Sequence, residues 1–262
     1  MTEINTVPAH YVGLWRRESL QRGLEPVDTS SLVFWIQTLL WHADIRVPAG
    51  RPDFRGARSL ADCSETQLGF LLRQEAFWGV TVVEGDRCHW NRMLDFQYMR
   101  TQDFGRMVFE DDQVYEQGVA SDYHEKWQRV SKPEPSVRSY IATGPNSASR
   151  AVICIADKHF IFIRPRAIWD VPAMRIQSRI EAGTATRAEW EAFLNFEASF
   201  GEIAEGHGVV TLSTLPWRES QVAFVDGDHR RFDAQGYMPL DRFDDALELH
   251  ADVFKAAATL RA

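Results

Sequence analysis

The sequence lacks the features that mark exported and membrane-spanning proteins. Its three cysteines, Cys63, Cys88 and Cys154, are odd in number and widely spaced, unlike those of a secreted disulfide scaffold or a zinc site. No apolar run approaches the roughly 20 residues that span a bilayer. The first residues also lack the basic start and apolar core of a signal peptide. These absences predict reduced thiols, no membrane association and a cytoplasmic location.

Basic residues are scarce as well. The chain has 29 lysines and arginines against 37 aspartates and glutamates, which gives a formal net charge of -8. This charge repels phosphate backbones and anionic lipid surfaces, so we expect neither nucleic acid nor membrane as a partner. The sequence contains no Gly-x-Ser-x-Gly elbow, phosphate loop or dinucleotide fingerprint. Hydrolase, kinase and dehydrogenase functions are therefore disfavoured, and no cofactor is predicted.

Aromatic residues, in contrast, are abundant. They form 12% of the chain, within a hydrophobic content of 45%, which is typical of β-barrels that are filled or lined by rings. Short alternating or apolar runs bounded by turn residues occupy 13–19, 31–38, 41–47, 78–84, 87–97, 106–110, 113–119 and 123–130. They predict a meander of antiparallel strands. One helix is predicted after Ser64, because Gln67 completes a capping box.

The segment 132–136 contains two prolines, which favour extended backbone and interrupt the strand pattern. We place a domain boundary there, between an N-terminal barrel at 1–131 and a C-terminal barrel with helices at 132–262. The second unit is predicted to have a hairpin around Asp157 and Lys158, further strands, and a turn at 226–228. Thr186 and Glu189 form a second capping box, which predicts a helix extending through Glu197 as far as Gly201. A last helix is predicted at 241–260.

A family resemblance supports the same architecture. Gly13-Leu14-Trp15 resembles the Gly-x-Trp signature of lipocalins, in which the ring plugs the closed end of a barrel and an arginine packs over it. Further segments follow in the order Phe34-Trp35-Ile36-Gln37-Thr38, Ala43-Asp44-Ile45-Arg46-Val47-Pro48, Trp90, Asp95, Asp103-Phe104-Gly105, Glu116-Gln117-Gly118 and Glu125-Lys126-Trp127. This order resembles the fungal Hri family of lipocalin-like proteins and its bacterial relatives. The resemblance implies a mainly β fold of two tandem calycin/lipocalin-like antiparallel barrels with a few helices, and it provides no catalytic residues.

The run 41–47 is the most informative strand. Its strict alternation places His42, Asp44 and Arg46 on one face and apolar side chains on the other. The polar face is either a solvated exterior or the lining of a closed barrel. The sequence leaves both readings open.

The candidate ligand-binding residues all belong to the first barrel. They are Trp35, His42, Asp44, Arg46, Arg92, Glu116, Tyr123, Glu125 and Trp127. We predict that they bind a small, partly apolar ligand, hydrophobic or amphipathic, with tryptophan rings as the wall and charged groups as polar contacts. Arg92 is expected to meet Glu116 or Glu125, where the pair would either bind an anionic head group or act as a structural clasp.

Two other functions remain open. A barrel-type lyase or isomerase would use His42, Asp44 or Glu125 as acid or base, whereas a protein–protein interaction module would present an exposed aromatic patch to a protein partner. A metal site is not predicted, because the remaining histidines supply no recognised ligand spacing.

Overall fold

A computed structural model of the chain describes residues 6–98, 102–142, 151–168, 170–225 and 237–240. The fold is mainly β, with a closed barrel followed by a second, curled antiparallel sheet, and the described ranges contain three α-helices. The fold class predicted from the sequence is thereby confirmed.

The first unit is an eight-stranded antiparallel barrel in which each strand pairs with the next. Its strands are β1 (Gly13–Arg22), β2 (Leu32–Gln37), β3 (Trp41–Val47), β4 (Glu75–Glu84), β5 (Arg87–Asp95), β6 (Asp103–Glu110), β7 (Gln113–Gly118) and β8 (Tyr123–Arg129). The barrel closes where β1 also pairs with β8, opposing Trp15 to Arg129. Each of the eight runs predicted from the sequence corresponds to one of these strands.

Helix α1 (Glu65–Leu71) lies between β3 and β4. Ser64 accepts a hydrogen bond from the backbone of Gln67, whose side chain in turn accepts one from the backbone of Ser64. The predicted capping box is therefore present, and it satisfies amide groups that have no partner within the first turn of the helix.

The second unit is a seven-stranded antiparallel sheet in the order β14-β13-β12-β11-β10-β9-β15. Its strands are β9 (Val137–Ala142), β10 (Val152–Ala156), β11 (His159–Arg164), β12 (Glu197–Ala204), β13 (His207–Ser213), β14 (Val222–Val225) and β15 (Tyr237–Pro239). The β10–β11 hairpin turns at Asp157 and Lys158 as predicted. The predicted turn at 226–228 and the predicted helix at 241–260 lie outside the described residues.

Two helices, α2 (Asp170–Glu181) and α3 (Arg187–Leu194), precede β12. Helix α2 was not predicted from the sequence, and the predicted end of α3 lay too far along the chain. Thr186 and Glu189 do form the predicted capping box, but the helix ends at Leu194, and Glu197 begins β12. The reason is tertiary, because the chain from Glu197 onward pairs with β11, where Glu197 lies opposite Arg164.

The barrel and the second sheet share one hydrophobic core. The apolar face of β3, with Trp41 and Ile45, packs in the same cluster as Cys154 and Ile161 of the second sheet. The indole of Trp41 also donates to the backbone oxygen of Leu240 at 3.0 Å. The predicted boundary at residue 132 falls between the last barrel strand and the first strand of the second sheet, and the independence of the two units as domains stays a prediction.

All three cysteines are unpaired and buried. In the described part of the chain, no helix combines the length and the apolar character needed to cross a bilayer.

Candidate functional site

The polar face of β3 lines the barrel interior. His42 and Asp44 are 0% and 2% exposed, and the guanidinium of Arg46 lies 5.9 Å from the ring centroid of Trp127 on β8. The opposite face of the strand is covered by the second sheet. Of the two readings that the sequence left open, the barrel lining is therefore the correct one.

Two arginines and three carboxylates form an ion-pair network across this interior. Arg17 on β1 donates to Glu125 on β8 at 2.7 Å and to Asp28 at 3.0 Å. Arg46 donates to Asp44 at 2.8 Å and to Glu125 at 3.4 Å. Buried charges are tolerated when they are paired and hydrogen-bonded in this way. Glu125 therefore joins strands β1, β3 and β8.

A second charged group surrounds Arg92 on β5. Its guanidinium pairs with Asp103 at 2.6 Å and with Asp95 at 3.4 Å, and it stacks on the Phe77 ring at 3.5 Å from the centroid. Arg46 approaches the same ring at 5.3 Å. Phe77 thus lies between the two arginines, and cation–π attraction holds both side chains against it.

The sequence-based expectation for the partner of Arg92 was wrong. Neither Glu116 nor Glu125 forms its ion pairs, because Glu125 is bound by the arginines of β1 and β3. Asp103, opposite Trp90 in the β5–β6 register, takes that place instead.

Glu116 on β7 forms a separate polar cluster. Its two carboxyl oxygens accept hydrogen bonds, one from the hydroxyl of Tyr123 at 2.6 Å and one from the indole of Trp127 at 3.1 Å. Burial, together with the charge of Glu125, raises the pKa of Glu116 to about 8. The carboxyl group therefore holds a proton over much of the neutral range.

This pKa shift predicts a dependence of stability on pH. The unfolded chain ionises Glu116 near its ordinary pKa of about 4.3, whereas the folded protein keeps the proton up to about pH 8. The folded state binds more protons in this window, so Glu116 makes the free energy of unfolding fall as pH rises. Glu116→Gln is expected to reduce that slope, by at most about 1.4 kcal/mol per pH unit.

Urea unfolding at several pH values between about 5 and 8 measures this slope. Glu110→Gln, at an exposed position on β6, is the control and should leave the slope as it is in the unmodified protein. An unchanged slope in Glu116→Gln would contradict the assignment.

Tryptophan rings pack against one another inside the barrel. Trp35 lies 6.0 Å from Trp15, 6.0 Å from Trp90 and 5.8 Å from Trp127, measured between ring centroids. Arg129 covers the Trp15 ring at 4.2 Å, which is the arrangement that the resemblance to the lipocalin signature implies.

A glycine makes room for this packing. A Cβ atom on Gly105 would lie 2.9 Å from Cγ of Glu116 and 2.9 Å from the Trp90 ring. Gly105→Ala is therefore expected to lower the free energy of unfolding by about 1–3 kcal/mol, the usual cost of overpacking. Gly69→Ala in α1, where a Cβ meets nothing within 4 Å, should instead stabilise by about 0.5–1 kcal/mol. Equal effects of the two changes in thermal unfolding would refute this account.

Three buried polar atoms in the interior have no hydrogen-bond partner. They are Nε1 of Trp35, Nε2 of His42 and Oε2 of Glu125. In register, Trp35 opposes Asp44, and Asp44 lies two residues from His42 on the same face of β3. An unsatisfied buried donor or acceptor costs about 1–3 kcal/mol, a cost that an ordered water or a bound molecule removes.

The hydrogen bonds around His42 define its tautomer. Thr81 donates its hydroxyl proton to Oε1 of Gln37 at 2.8 Å, so it can only accept from Nδ1 of His42, 3.0 Å away. Burial lowers the pKa of His42 well below its ordinary value, so the ring is neutral and Nε2 carries no proton. The unpartnered atom of His42 is therefore a hydrogen-bond acceptor.

All the predicted site residues lie on barrel strands, and the charged ones divide between the Arg46 and Arg92 groups and the Glu116 cluster. Sequence reasoning missed several residues that complete these groups, namely Arg17, Gln37, Phe77, Thr81, Asp95 and Asp103. Arg17 could have been found from the sequence, since it follows Trp15 by two positions and so lies on the same face of the strand.

Within the described ranges, no group of three or more His, Cys, Asp or Glu side chains could hold a metal ion.

No protein-family model and no curated protein matches this chain. Its fold is similar to the crystal structure of an uncharacterized protein from Saccharomyces cerevisiae, with a TM-score of 0.48 and 12% sequence identity. The similarity covers 77% of this chain and 84% of the yeast chain. Because the yeast protein is uncharacterized, the function proposed below rests on the geometry of this chain.

Proposed function

We propose that this protein binds a small, partly apolar molecule inside its N-terminal barrel without transforming it. The tryptophan rings of Trp35 and Trp127 form the apolar wall, while Arg46, Arg92 and Glu125 form the charged part of the site. Apolar walls with a few convergent polar groups are the usual composition of a ligand site. The cytoplasm is the proposed location.

The observation that carries this proposal is the set of unpartnered polar atoms on Trp35, His42 and Glu125. A barrel filled only for stability would satisfy such atoms or replace them with apolar groups, since each one costs stability. A bound molecule with its own donors and acceptors removes that cost.

Native mass spectrometry of protein purified from its own cells tests this proposal. We expect a reproducible small-molecule mass that is lost when the same sample is denatured. Trp35→Phe keeps a ring but removes the unpartnered indole N–H, so its occupancy should fall. Arg16→Ala, at an exposed position of β1, is the control and should retain the ligand. Ligand binding would be contradicted if the spectrum shows only the mass of the protein itself, both as purified and after incubation with the small-molecule fraction of those cells.

A second candidate is an acid–base lyase or isomerase in the same barrel. The feature that favours it is Glu116, a carboxyl group with a pKa of about 8, which can give and take a proton near neutral pH. If the recovered molecule changes its mass or its isomeric form on incubation with the protein, and Glu116→Gln stops the change, the barrel is catalytic. An unchanged molecule supports simple binding.

A further inference from the structure

The guanidinium groups of the barrel interior are already committed to carboxylates of the protein. Arg46 uses Nε and Nη2 on Asp44 and Nη1 on Glu125. Arg92 uses Nε and Nη2 on Asp103 and Nη1 on Asp95. A carboxylate or phosphate ligand would have to displace one of these partners. The arginines are therefore poor sites for an anionic head group.

Carboxyl groups also outnumber arginines around the interior. Arg17, Arg46 and Arg92 are accompanied by six carboxyl groups, which are Asp28, Asp44, Asp95, Asp103, Glu116 and Glu125. Burial raises the pKa of Asp95 to about 6 and also raises that of Asp44, because the charged forms are poorly solvated. An added anion would be repelled by these carboxylates, whereas an added cation could pair with them.

The unpartnered atoms indicate the same preference. Nε2 of His42 and Oε2 of Glu125 are both acceptors, and Nε1 of Trp35 is a donor that hydroxyl oxygens or ring faces can satisfy. Both free acceptors are satisfied by a group that donates hydrogen bonds.

We propose that the ligand enters this barrel with an amine as its polar end, which donates hydrogen bonds to the free acceptors of His42 and Glu125. This inference rests on the proposed binding function and names its ligand class. An aromatic or aliphatic body attached to the amine would pack against the tryptophan wall.

Isothermal titration calorimetry with three probes of nearly equal shape tests the inference. Phenethylamine, 2-phenylethanol and phenylacetate differ mainly in carrying a cationic, neutral or anionic end. We expect phenethylamine to bind at least about tenfold more tightly than phenylacetate, with the alcohol between them. Phenylacetate binding as tightly as the amine, or none of the three binding, overturns the inference. The mass spectrometry experiment above then decides separately whether the barrel binds a ligand of another class.

Two variants locate the amine. His42→Asn can still donate to Thr81 through its amide but removes the acceptor at Nε2, so phenethylamine should bind about fivefold to tenfold more weakly while phenylacetate is unaffected. Glu125→Gln should weaken the amine as well. Glu125 also pairs with Arg17 and Arg46, so a thermal unfolding curve must show that Glu125→Gln is folded. If Glu125→Gln is unfolded, the result for His42→Asn decides alone. Unchanged affinity for phenethylamine in the folded variants refutes the proposed contacts.

Discussion

Arg17→Ala is expected to lower the free energy of unfolding by about 3–5 kcal/mol, which is the usual cost of removing one partner of a buried ion pair. Arg17 is 7% exposed and pairs with Glu125 at 2.7 Å. Its loss leaves that carboxylate with Arg46 alone, at the longer distance of 3.4 Å. Urea unfolding monitored by circular dichroism measures the change.

The adjacent residue provides a matched control. Arg16 lies on the same strand but is exposed, and Arg16→Ala should change the free energy of unfolding by no more than about 0.5 kcal/mol. If the two substitutions have similar effects, the interior ion-pair network does not stabilise the barrel.

The second large effect is expected from separating the two units. A protein ending at residue 131 would expose the face of β3 that carries Trp41 and Ile45, which the second sheet covers in the intact chain. Phe34 would also lose its stack on Phe200, now 4.0 Å away. Exposed apolar patches of this kind promote aggregation, so we expect the fragment to be insoluble or oligomeric when expressed alone.

Co-expression with residues 132–262 is the control, because the second fragment can cover the exposed face. It should restore soluble material, with both fragments eluting together in size-exclusion chromatography. A monomeric, cooperatively unfolding 1–131 fragment would show instead that the barrel is an independent domain.

The strands of the first barrel could be predicted because their signals are local. Each alternating run is bounded by turn residues, and the capping boxes at Ser64 and Thr186 mark helix starts within four residues. Helix α2 offered no comparable start signal. The end of α3 was mispredicted, since it depends on the pairing of the following residues with β11.

The candidate site was predictable in its members but not in its pairings. Alternation put His42, Asp44 and Arg46 on one face, yet both faces of β3 are buried, so polarity alone could not distinguish interior from exterior. The distinction depends on Glu125, which is 79 residues from Arg46. The contact of Arg92 with Asp103 follows from the pairing of β5 with β6, and its contact with Asp95 accompanies a register shift in the β4–β5 ladder between Arg92 and Leu94. A single sequence reveals neither.

Closure of the barrel by β1 and β8 has a consequence for how the chain folds. Strand β1 gains its second neighbouring strand only when Trp15 comes to lie opposite Arg129 of β8. Of the strand pairs in the barrel, this pair is the most widely separated in sequence. Contacts of such long separation slow folding, because a large loop must be ordered before they form. During synthesis on the ribosome, β1 therefore keeps one open edge until β8 has emerged.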